Sequence, residues 1–306
     1  MRGQGQGGRP PVRTGLIGIG RWGRRLLAPL SRLTALELCC NRSDEDARRY
    51  VREHHPSIRI CEDVDELLTS PDLDAVVVAT PIRSHAELVR GALRAGKHVF
   101  VEKPLCTDSR EAAELRDLAI AGDRVLFVGH LSLYDAGIAT LARIVRDDPL
   151  RSGVFTSTKF GSFTESIVWN LLSHVVATAT ALTHSTDVFV TNVKAFPAPS
   201  PDLLTCCLRG GDDSAISVVL NRRARTRSMW GTFLTKSGRT YWWEPDELHV
   251  MGEGGYDPVS LDANETPLDR EIRHFVSLIE GGGPPDNLDV AVAVVRALEE
   301  LESATP

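Results

Sequence analysis

Three glycines near the N-terminus have the spacing of a phosphate-binding turn. Gly18, Gly20 and Gly23 form a GxGxxG pattern between a short apolar run and a predicted helix, which is the context that gives the pattern its meaning. The first glycine allows a tight turn, the second lets the main chain approach a pyrophosphate, and the third permits close packing of helix on strand. Because N–H groups at a helix start favour an anion, we expect a dinucleotide here, with Arg21 and Trp22 lining the turn.

The end of the second predicted strand carries the next candidate cofactor ligands. The sequence there is Asn41-Arg42-Ser43, where dinucleotide-binding domains usually place an acidic residue for the ribose of NAD. No carboxylate at these positions would repel a 2′-phosphate, and an arginine can pair with one. The loop therefore favours NADP(H). In the alternative, Arg42 is solvated and Asp44 or Asp46 binds the ribose, which leaves NAD(H) as the cofactor.

Further candidate contacts follow a buried strand. Residues 75–79 are apolar on both faces, as in a parallel sheet that is covered on both sides. Ligands bind at the carboxyl ends of such strands, where Thr80 and Pro81 stand. Pro81 either shapes the loop against a nicotinamide or simply ends the strand. His85 and His130 lie near the predicted cleft; His85 is a candidate cofactor contact, and for both a structural hydrogen bond is the alternative.

The elements that must position these residues alternate between residues 12 and 130. Short apolar runs separated by helical patterns predict βαβ units and a parallel sheet. Beyond about residue 150, short strands separated by turns such as Gly210-Gly211 predict a mostly antiparallel sheet. The predicted fold class is α/β: a Rossmann dinucleotide-binding domain over 12–130, then an α+β domain over 131–306 with a large open sheet. Two helices, 267–280 and 288–302, end the chain, and the last is a candidate to pack back on the first domain.

Composition limits the class of protein. The 306 residues allow two domains, and 42% hydrophobic with 25% charged residues is typical of a globular protein. A net charge of −6 argues against nucleic-acid partners, which need a basic surface. No apolar run reaches the ~18–20 residues that cross a membrane. Residues 1–11 are rich in Gly, Gln, Arg and Pro and are predicted to be a disordered tail.

The six cysteines show neither CxxC spacing nor a neighbouring histidine at ligand spacing. We therefore expect no metal site and interpret the cysteines as small buried apolar residues. Because no signal peptide is recognised, this usage indicates a reducing, cytoplasmic location.

One stretch resembles a known family. Residues 79–105, ATPIRSHAELVRGALRAGKHVFVEKPL, resemble the Gfo/Idh/MocA family of glucose–fructose oxidoreductases and inositol dehydrogenases. The most telling piece is Glu102-Lys103-Pro104 directly after a predicted strand. The resemblance continues through Val128-Gly129-His130, Tyr134, the segment WNLLSH at 169–174 and the closing pattern at 267–275. It implies an oxidoreductase acting on the CH–OH group of a sugar or cyclitol.

The resemblance also implies a set of site residues. The family's lysine lies near the nicotinamide and the substrate, which here is Lys103 with Glu102 beside it. A downstream Asp and His complete the family's site, and the matching positions are Asn170 and His174. Residues four apart face the same way on a helix. Lysine can stabilise negative charge on an oxygen, and histidine can transfer a proton.

Asn170 departs from the family pattern. Asparagine cannot transfer a proton, although it can hydrogen-bond a hydroxyl or orient His174. Proton transfer would then fall on His174 and Lys103. The substitution also leaves room for a changed substrate or for a protein that binds the cofactor without catalysis.

The segments GHLSLYD and WNLLSH look most like family members that act on nucleotide-linked sugars, and Tyr134 and Lys159 are the first candidates for substrate contact. The leading interpretation is NADPH-dependent reduction of a keto-sugar. One alternative is NAD-dependent oxidation of a sugar or inositol hydroxyl, and another is a cofactor-binding, catalytically silent regulator.

Family members often pair through their open sheets, so a homodimer or homotetramer through the C-terminal sheet is expected. Trp242 and Trp243 should point to opposite sheet faces, one into the core and the other at the interface. The arginines between residues 222 and 227 are interpreted as one solvated face of a strand, with binding of a diphosphate as the alternative.

Overall fold

The computed structural model describes residues 10–158, 166–196, 202–211, 213–281 and 288–304. Most of the predicted tail, the candidate Lys159 and the glycine–proline break at 282–285 lie outside the described residues. The chain divides into two compact units. The first consists of Met1–Val101, Leu118–Phe127 and Ile272–Pro284, and the second of Glu102–Asp117, Val128–Glu271 and Pro285–Pro306.

Six strands form one sheet: β1 (Arg13–Ile17), β2 (Ala35–Cys40), β3 (Arg59–Cys61), β4 (Ala75–Val78), β5 (His98–Glu102) and β6 (Leu126–Gly129). Their order in the sheet is β3-β2-β1-β4-β5-β6. The pairs β1–β2, β1–β4, β2–β3 and β4–β5 are parallel. The order reverses between β1 and β4, which is where ligands bind in doubly wound sheets.

Five helices alternate with these strands: α1 (Gly23–Leu33), α2 (Glu45–His54), α3 (Val64–Thr69), α4 (His85–Arg94) and α5 (Ser109–Ala121). Helix α1 buries Leu26, Leu27 and Leu30, whose spacing places them on one face. A 3-10 turn, Ile82–Ser84, directly precedes α4.

The core of the first unit depends on a strand that is buried on both faces. All four residues of β4 are buried, as a parallel sheet covered on both sides requires. Next to it, Phe100 stacks on Phe127 with ring centroids 5.3 Å apart, and Phe275 meets Phe100 edge-on at 5.6 Å. These contacts join residues far apart in sequence and fix the sheet that carries the glycine turn.

Eight strands form a second sheet: β7 (Leu150–Thr158), β8 (Val188–Phe196), β9 (Leu203–Gly210), β10 (Ala215–Asn221), β11 (Ser228–Thr235), β12 (Thr240–Glu244), β13 (Glu247–Gly252) and β14 (Gly255–Pro258). Their order is β14-β13-β12-β11-β7-β10-β9-β8. The pair β7–β10 is parallel, and the other pairs are antiparallel. The predicted fold class, with its mostly antiparallel second sheet, is confirmed.

Two strands of this sheet were not predicted, and one expectation for it was wrong. Strands β13 and β14 were not predicted, because both are short and contain polar residues and glycines; they form by pairing outward from β12. The arginines from residue 222 onward do not lie on a strand but in the connection between β10 and β11. There Arg222 and Arg223 both pair with Asp202, at 2.5 and 2.8 Å.

The remaining helices are α6 (Ala136–Asp147), α7 (Ser173–Thr183), α8 (Pro267–Ile279) and α9 (Leu288–Ala304), and a π-helical turn, Val168–Leu172, precedes α7. Helix α6 packs on β12 and β13, α7 on β7, β8 and β9, and α9 on β8. The helices thus cover one face of the second sheet.

Glycines on that face make room for aromatic rings. Gly153 lies opposite Phe233 and Gly231 opposite Phe155 in the β7–β11 pair. Phe155 then stacks on Trp243, with ring centroids 5.5 Å apart. Trp243 is 2% exposed, so the expectation that one of the two adjacent tryptophans belongs to the core is confirmed.

Within the part of the chain that the structure describes, no helix is long and apolar enough to span a membrane. The same residues contain no group of three or more His, Cys, Asp or Glu side chains that would hold a metal ion. Five of the six cysteines are buried, as expected, and all six are free thiols.

Candidate active site

The glycine turn has the geometry that its sequence predicts. Gly18 has φ +94°, and a Cβ there would lie 2.6 Å from the main-chain oxygen of Ala79, so glycine is required. A Cβ at Gly23 would overlap the main-chain oxygen of Gly18. At Gly20, by contrast, an added Cβ would meet no neighbouring atom within 4 Å. The main chain at Gly20 therefore faces the open space that a pyrophosphate needs for its approach.

The N-terminus of α1 is suited to an anion. Trp22 precedes the helix without a side-chain cap hydrogen bond, and the first turn holds no acidic residue. Helices α2 and α6, in contrast, are capped by the carboxylates of Asp44 and Asp135. An uncapped first turn presents N–H groups and the positive end of the helix dipole. With the exposed Arg21 directly before it, this turn fits the pyrophosphate of a dinucleotide.

The loop after β2 is ordered by main-chain hydrogen bonds. Asn41 N donates to Cys61 O at 3.2 Å, and Asn41 Oδ1 accepts from Asp44 N at 3.3 Å. The side chains of Arg42 and Ser43 are exposed. The loop thus presents a cationic and a hydroxyl side chain to solvent from a fixed main chain.

The two carboxylates that offered an alternative ribose contact are used within α2. Asp44 Oδ1 accepts a hydrogen bond from Ala47 N at 3.0 Å and so caps the helix. Asp46 forms an ion pair with Arg49. Each carboxylate therefore already has a partner on its own helix.

The candidate residues after β4 form a tight local network. Ser84 Oγ donates to Thr80 Oγ1 at 2.8 Å. His85, which is 2% exposed, has its Nε2 2.8 Å from the main-chain oxygen of Thr80. His85 therefore makes the structural hydrogen bond that was the alternative to a cofactor contact. Pro81 has an extended main chain and directly precedes the 3-10 turn Ile82–Ser84.

Lys103, directly after β5, reaches the helix that carries the other two catalytic candidates. Its Nζ donates to the main-chain oxygen of Asn170 at 2.9 Å. Asn170 lies inside the π-helical turn, whose wider geometry is often found at functional sites. Ser173 Oγ also donates to this oxygen, at 3.3 Å. The main-chain carbonyl that accepts the hydrogen bond from Lys103 therefore lies in the π-helical turn directly before α7.

His174 and Tyr134 lie on neighbouring segments of the second unit. His174 is in the first turn of α7, and its main-chain oxygen accepts from Ser132 Oγ at 3.3 Å. Ser132 and Tyr134 share a 3-10 turn, Leu131–Tyr134, which packs on α7. The main-chain oxygen of Tyr134 accepts from Arg270 Nη1 at 2.7 Å. Lys159 lies outside the described residues.

His130 is buried beside this cluster. It is 1% exposed, and no described residue hydrogen-bonds either of its ring nitrogens. The structural hydrogen bond that the sequence suggested for His130 is therefore absent from the described part of the chain. Burial, together with the positive charge of Lys103, lowers the pKa of His130 to about 3. The imidazole is neutral at physiological pH, so it adds no positive charge next to the lysine.

Glu271 is a buried acid that sequence reasoning did not single out. Both of its carboxyl oxygens are buried without a hydrogen-bond partner among the described residues. Burial, and then the negative charge of Glu102, raises the pKa of Glu271 well above its ordinary value. The only signal in the sequence was the family-like segment at 267–275, which suggested no role for this side chain.

Strand order, the open glycine turn and an uncapped first helix define the first unit as a dinucleotide-binding Rossmann fold. The second unit is an α+β structure with one helix-covered sheet face. Residues 12–130 match the Gfo/Idh/MocA family model, described as an oxidoreductase family with an NAD-binding Rossmann fold. This match over residues 12–130 agrees with the family resemblance that the residues around Lys103 indicated.

The curated relatives are similar to only part of this chain. Inositol 2-dehydrogenase from Gluconacetobacter diazotrophicus is 36% identical over 138 residues, which are 43% of this chain and 40% of that protein. The matched segments span less than half the length of such curated relatives.

Two solved structures are similar over nearly the whole chain. A UDP-N-acetylglucosamine 3-dehydrogenase from Acidithiobacillus ferrooxidans has a TM-score of 0.84 at 24% identity, covering 96% of this chain and 97% of that one. A 3-ketoreductase from Actinomadura kijaniata, solved with TDP-benzene and NADP, has a TM-score of 0.81 at 19% identity, covering 96% and 98%. These similarities show the shared fold.

Proposed function

We propose that this chain is an NADP(H)-dependent oxidoreductase that reduces the carbonyl group of a keto-sugar, preferably one linked to a nucleotide. In this proposal residues 12–130 bind the dinucleotide and residues 131–306 bind the sugar. The observation that carries the proposal is the hydrogen bond between Lys103 Nζ and the main chain of Asn170, in the turn that leads into the helix of His174. This bond joins the segment of Lys103 to the segment that carries Asn170 and His174, which supports a shared site for the three residues.

The choice of NADP(H) is supported by the loop after β2. Arg42 is exposed there, and a guanidinium pairs well with a phosphate. Asp44 and Asp46, which would have served the ribose of NAD, are engaged within α2. The 3-ketoreductase with the same fold was solved with NADP, which agrees with this choice.

The remaining cofactor candidates would hold the dinucleotide through the two loops that follow β1 and β4. Gly20 leaves room for the pyrophosphate, and the N–H groups at the start of α1 would bind its oxygens. Thr80 and Pro81 would contact the nicotinamide half of the cofactor. His85 would support their loop through its hydrogen bond to the main-chain oxygen of Thr80. Glu102 and Lys103 would complete the cofactor contacts.

The chemistry divides among three side chains. When bound, the reduced nicotinamide supplies a hydride to the carbonyl carbon of the sugar. The ammonium of Lys103 stabilises the negative charge that develops on the carbonyl oxygen. His174 donates a proton to this oxygen, since an imidazole titrates near physiological pH. Asn170 hydrogen-bonds a neighbouring hydroxyl without transferring a proton. Tyr134, and Lys159 outside the described residues, are proposed to contact the sugar or its nucleotide.

The test begins with binding and proceeds to turnover. The full chain is titrated with NADPH and with NADH by nicotinamide fluorescence, and keto-sugars and sugar nucleotides are then screened by nicotinamide absorbance. Lys103→Met and His174→Gln should each lower kcat by ~100-fold or more, and His174→Gln should leave NADPH affinity largely unchanged. Lys236→Met, at an exposed lysine in a turn of the second sheet, is the matched control and should leave kcat unchanged.

The outcomes separate three functions. A preference for NADH with oxidation of inositol would favour the dehydrogenase alternative, which the 36% identity to an inositol 2-dehydrogenase supports. Binding of NADPH without turnover of any sugar would indicate the silent cofactor-binding protein that Asn170 suggested. Full activity of the Lys103→Met enzyme would contradict the role proposed for the lysine.

We also expect the chain to form a homodimer or homotetramer through the second sheet. The sheet face without helices presents mostly uncharged side chains on its central strands, among them Val154, Thr232 and Trp242. Trp242 lies on this face and packs against His249 and Tyr256. Val154→Glu should convert the assembly to monomers in light scattering, because it would bury a charge at the interface. A monomeric wild-type chain at micromolar concentration would contradict the expectation.

A further inference from the structure

Arg48 makes an unusual set of contacts for a surface helix. Only 8% of the residue is exposed, although it lies on the amphipathic helix α2. Its Nη1 donates to two successive main-chain oxygens of the loop after β2, those of Asn41 at 2.9 Å and Arg42 at 3.0 Å. One guanidinium nitrogen therefore fixes two consecutive peptide groups of this loop. With both carbonyl oxygens turned toward Arg48, the main chain of the loop has little freedom to rotate.

The same guanidinium compensates two carboxylates. Arg48 Nε and Nη2 both bind Glu45 Oε2, at 2.9 and 2.6 Å, and Nη2 lies 3.5 Å from Glu62 Oε1. Arg52 binds the other oxygen of Glu45 at 2.7 Å. Glu45 is in the first turn of α2 and Glu62 directly follows β3, so both acids flank the loop after β2. Without Arg48, their negative charge would act on any phosphate held there.

We propose that Arg48 is a positioning residue for cofactor selection: it holds the Asn41–Arg42 main chain so that the Arg42 side chain can meet a ribose 2′-phosphate, and it cancels the carboxylates that would repel this phosphate. The inference rests on the proposed use of NADP(H). Arg48 itself does not touch the phosphate, because its nitrogens are taken by the loop and by Glu45.

The experiment measures discrimination and not only affinity. Dissociation constants of NADPH and NADH are determined by fluorescence titration for the full-length wild-type chain, Arg48→Met, Arg48→Lys and Arg49→Met. The probe 2′,5′-ADP, compared with 5′-ADP, isolates the contribution of the 2′-phosphate. Arg49 is the matched control, because it is one residue away, exposed, and paired with Asp46 on its own helix.

Arg48→Met should weaken binding of NADPH and of 2′,5′-ADP by ~tenfold or more, with a much smaller effect on NADH and 5′-ADP. Arg48→Lys keeps the charge but loses the planar fork, so it should lose part of the discrimination. Because the lysine side chain also keeps the apolar stem of Arg48, this variant still tests the inference if Arg48→Met fails to fold. Arg49→Met should change neither affinity, and melting temperatures show that the variants compared are folded.

Two results would overturn the inference. If Arg48→Met and Arg48→Lys weaken NADPH and NADH by the same factor, or change neither, Arg48 has only a structural role and the inference alone fails. If the wild-type chain binds no dinucleotide, or prefers NADH, then the proposed cofactor choice is wrong and the inference falls with it. The wild-type titration therefore distinguishes the failure of the proposed function from that of the inference.

Discussion

Lys103 Nζ and the main-chain oxygen of Asn170 are joined by a 2.9 Å hydrogen bond that spans 67 residues of sequence. The acceptor belongs to the main chain and not to the side chain of Asn170. Replacement of the family's usual aspartate by asparagine therefore leaves this contact intact. The lysine is held in place independently of what position 170 carries, so the side chain there can be exchanged to examine its chemistry alone.

Asn170→Asp is the first such exchange. A carboxylate one helical turn before His174 favours the protonated imidazole. The basic limb of the pH profile for the proposed keto-sugar reduction should therefore move upward by about one pH unit. The measurement is kcat/KM between pH 5 and pH 10, with Asn264→Asp at an exposed position as the matched control. A profile identical to that of the wild type would argue against proton donation by His174.

Gly20→Ala should reduce dinucleotide binding without harming the fold. An added Cβ meets no neighbouring atom within 4 Å, so the melting temperature should stay within about 2 °C of the wild type. The methyl group would nevertheless occupy the approach to the pyrophosphate, and the Kd for NADPH should rise by ~tenfold. Gly254→Ala, at an equally open position, serves as the control. Unchanged NADPH affinity in Gly20→Ala would place the pyrophosphate elsewhere.

His130 should make the protein less stable in acid. Its pKa is about 3 in the folded chain against an ordinary value of 6.5, so below pH 6.5 the unfolded chain takes up a proton that the folded chain does not. Stability is then lost as the pH falls, by ~2 kcal/mol between pH 7 and pH 5. His130→Leu removes this loss, and urea unfolding at both pH values measures it. His54→Leu, at an exposed histidine, is the control; equal pH dependence in wild type and His130→Leu would refute the prediction.

Glu271 should make the protein less stable as the pH rises, which is opposite to the effect of His130. Its pKa is raised in the folded chain, so above the ordinary value of 4.5 the unfolded chain releases a proton that the folded chain retains. Stability therefore falls as the pH rises through 4.5 toward the folded-state pKa, by up to ~1.4 kcal/mol per pH unit. Glutamine stays neutral at every pH. In thermal melts, the stability of Glu271→Gln relative to the wild type should therefore increase between pH 5 and pH 8. Glu53→Gln, on the exposed side of α2, is the control, and parallel melting curves for the wild type and Glu271→Gln would exclude the buried protonated acid.

Much of the first sheet was predictable because its signals are local. The burial of β4 on both faces and the roles of Gly18 and Gly23 depend on near neighbours in sequence or on the space that a single Cβ would need. Strands β13 and β14 were missed because they are short and depend on pairing, β13 with β12 and β14 with β13. The arginines after β10 were misplaced for a related reason: Asp202, on a distant segment, binds two of them in a turn.

The sequence by itself determined a dinucleotide-binding Rossmann domain, the glycine turn within it, and the residue types of the proposed hydride-transfer site. These follow from backbone sterics and from side-chain periodicity, which neighbouring residues encode. Only the tertiary structure decided that Lys103 is held by the carbonyl of Asn170, that His130 and Glu271 are buried without hydrogen bonds from the described residues, and that Arg48 binds the loop after β2. Burial and charge pairing depend on which distant segments come into contact. The pattern of residues along the sequence does not show these contacts; the folded structure does.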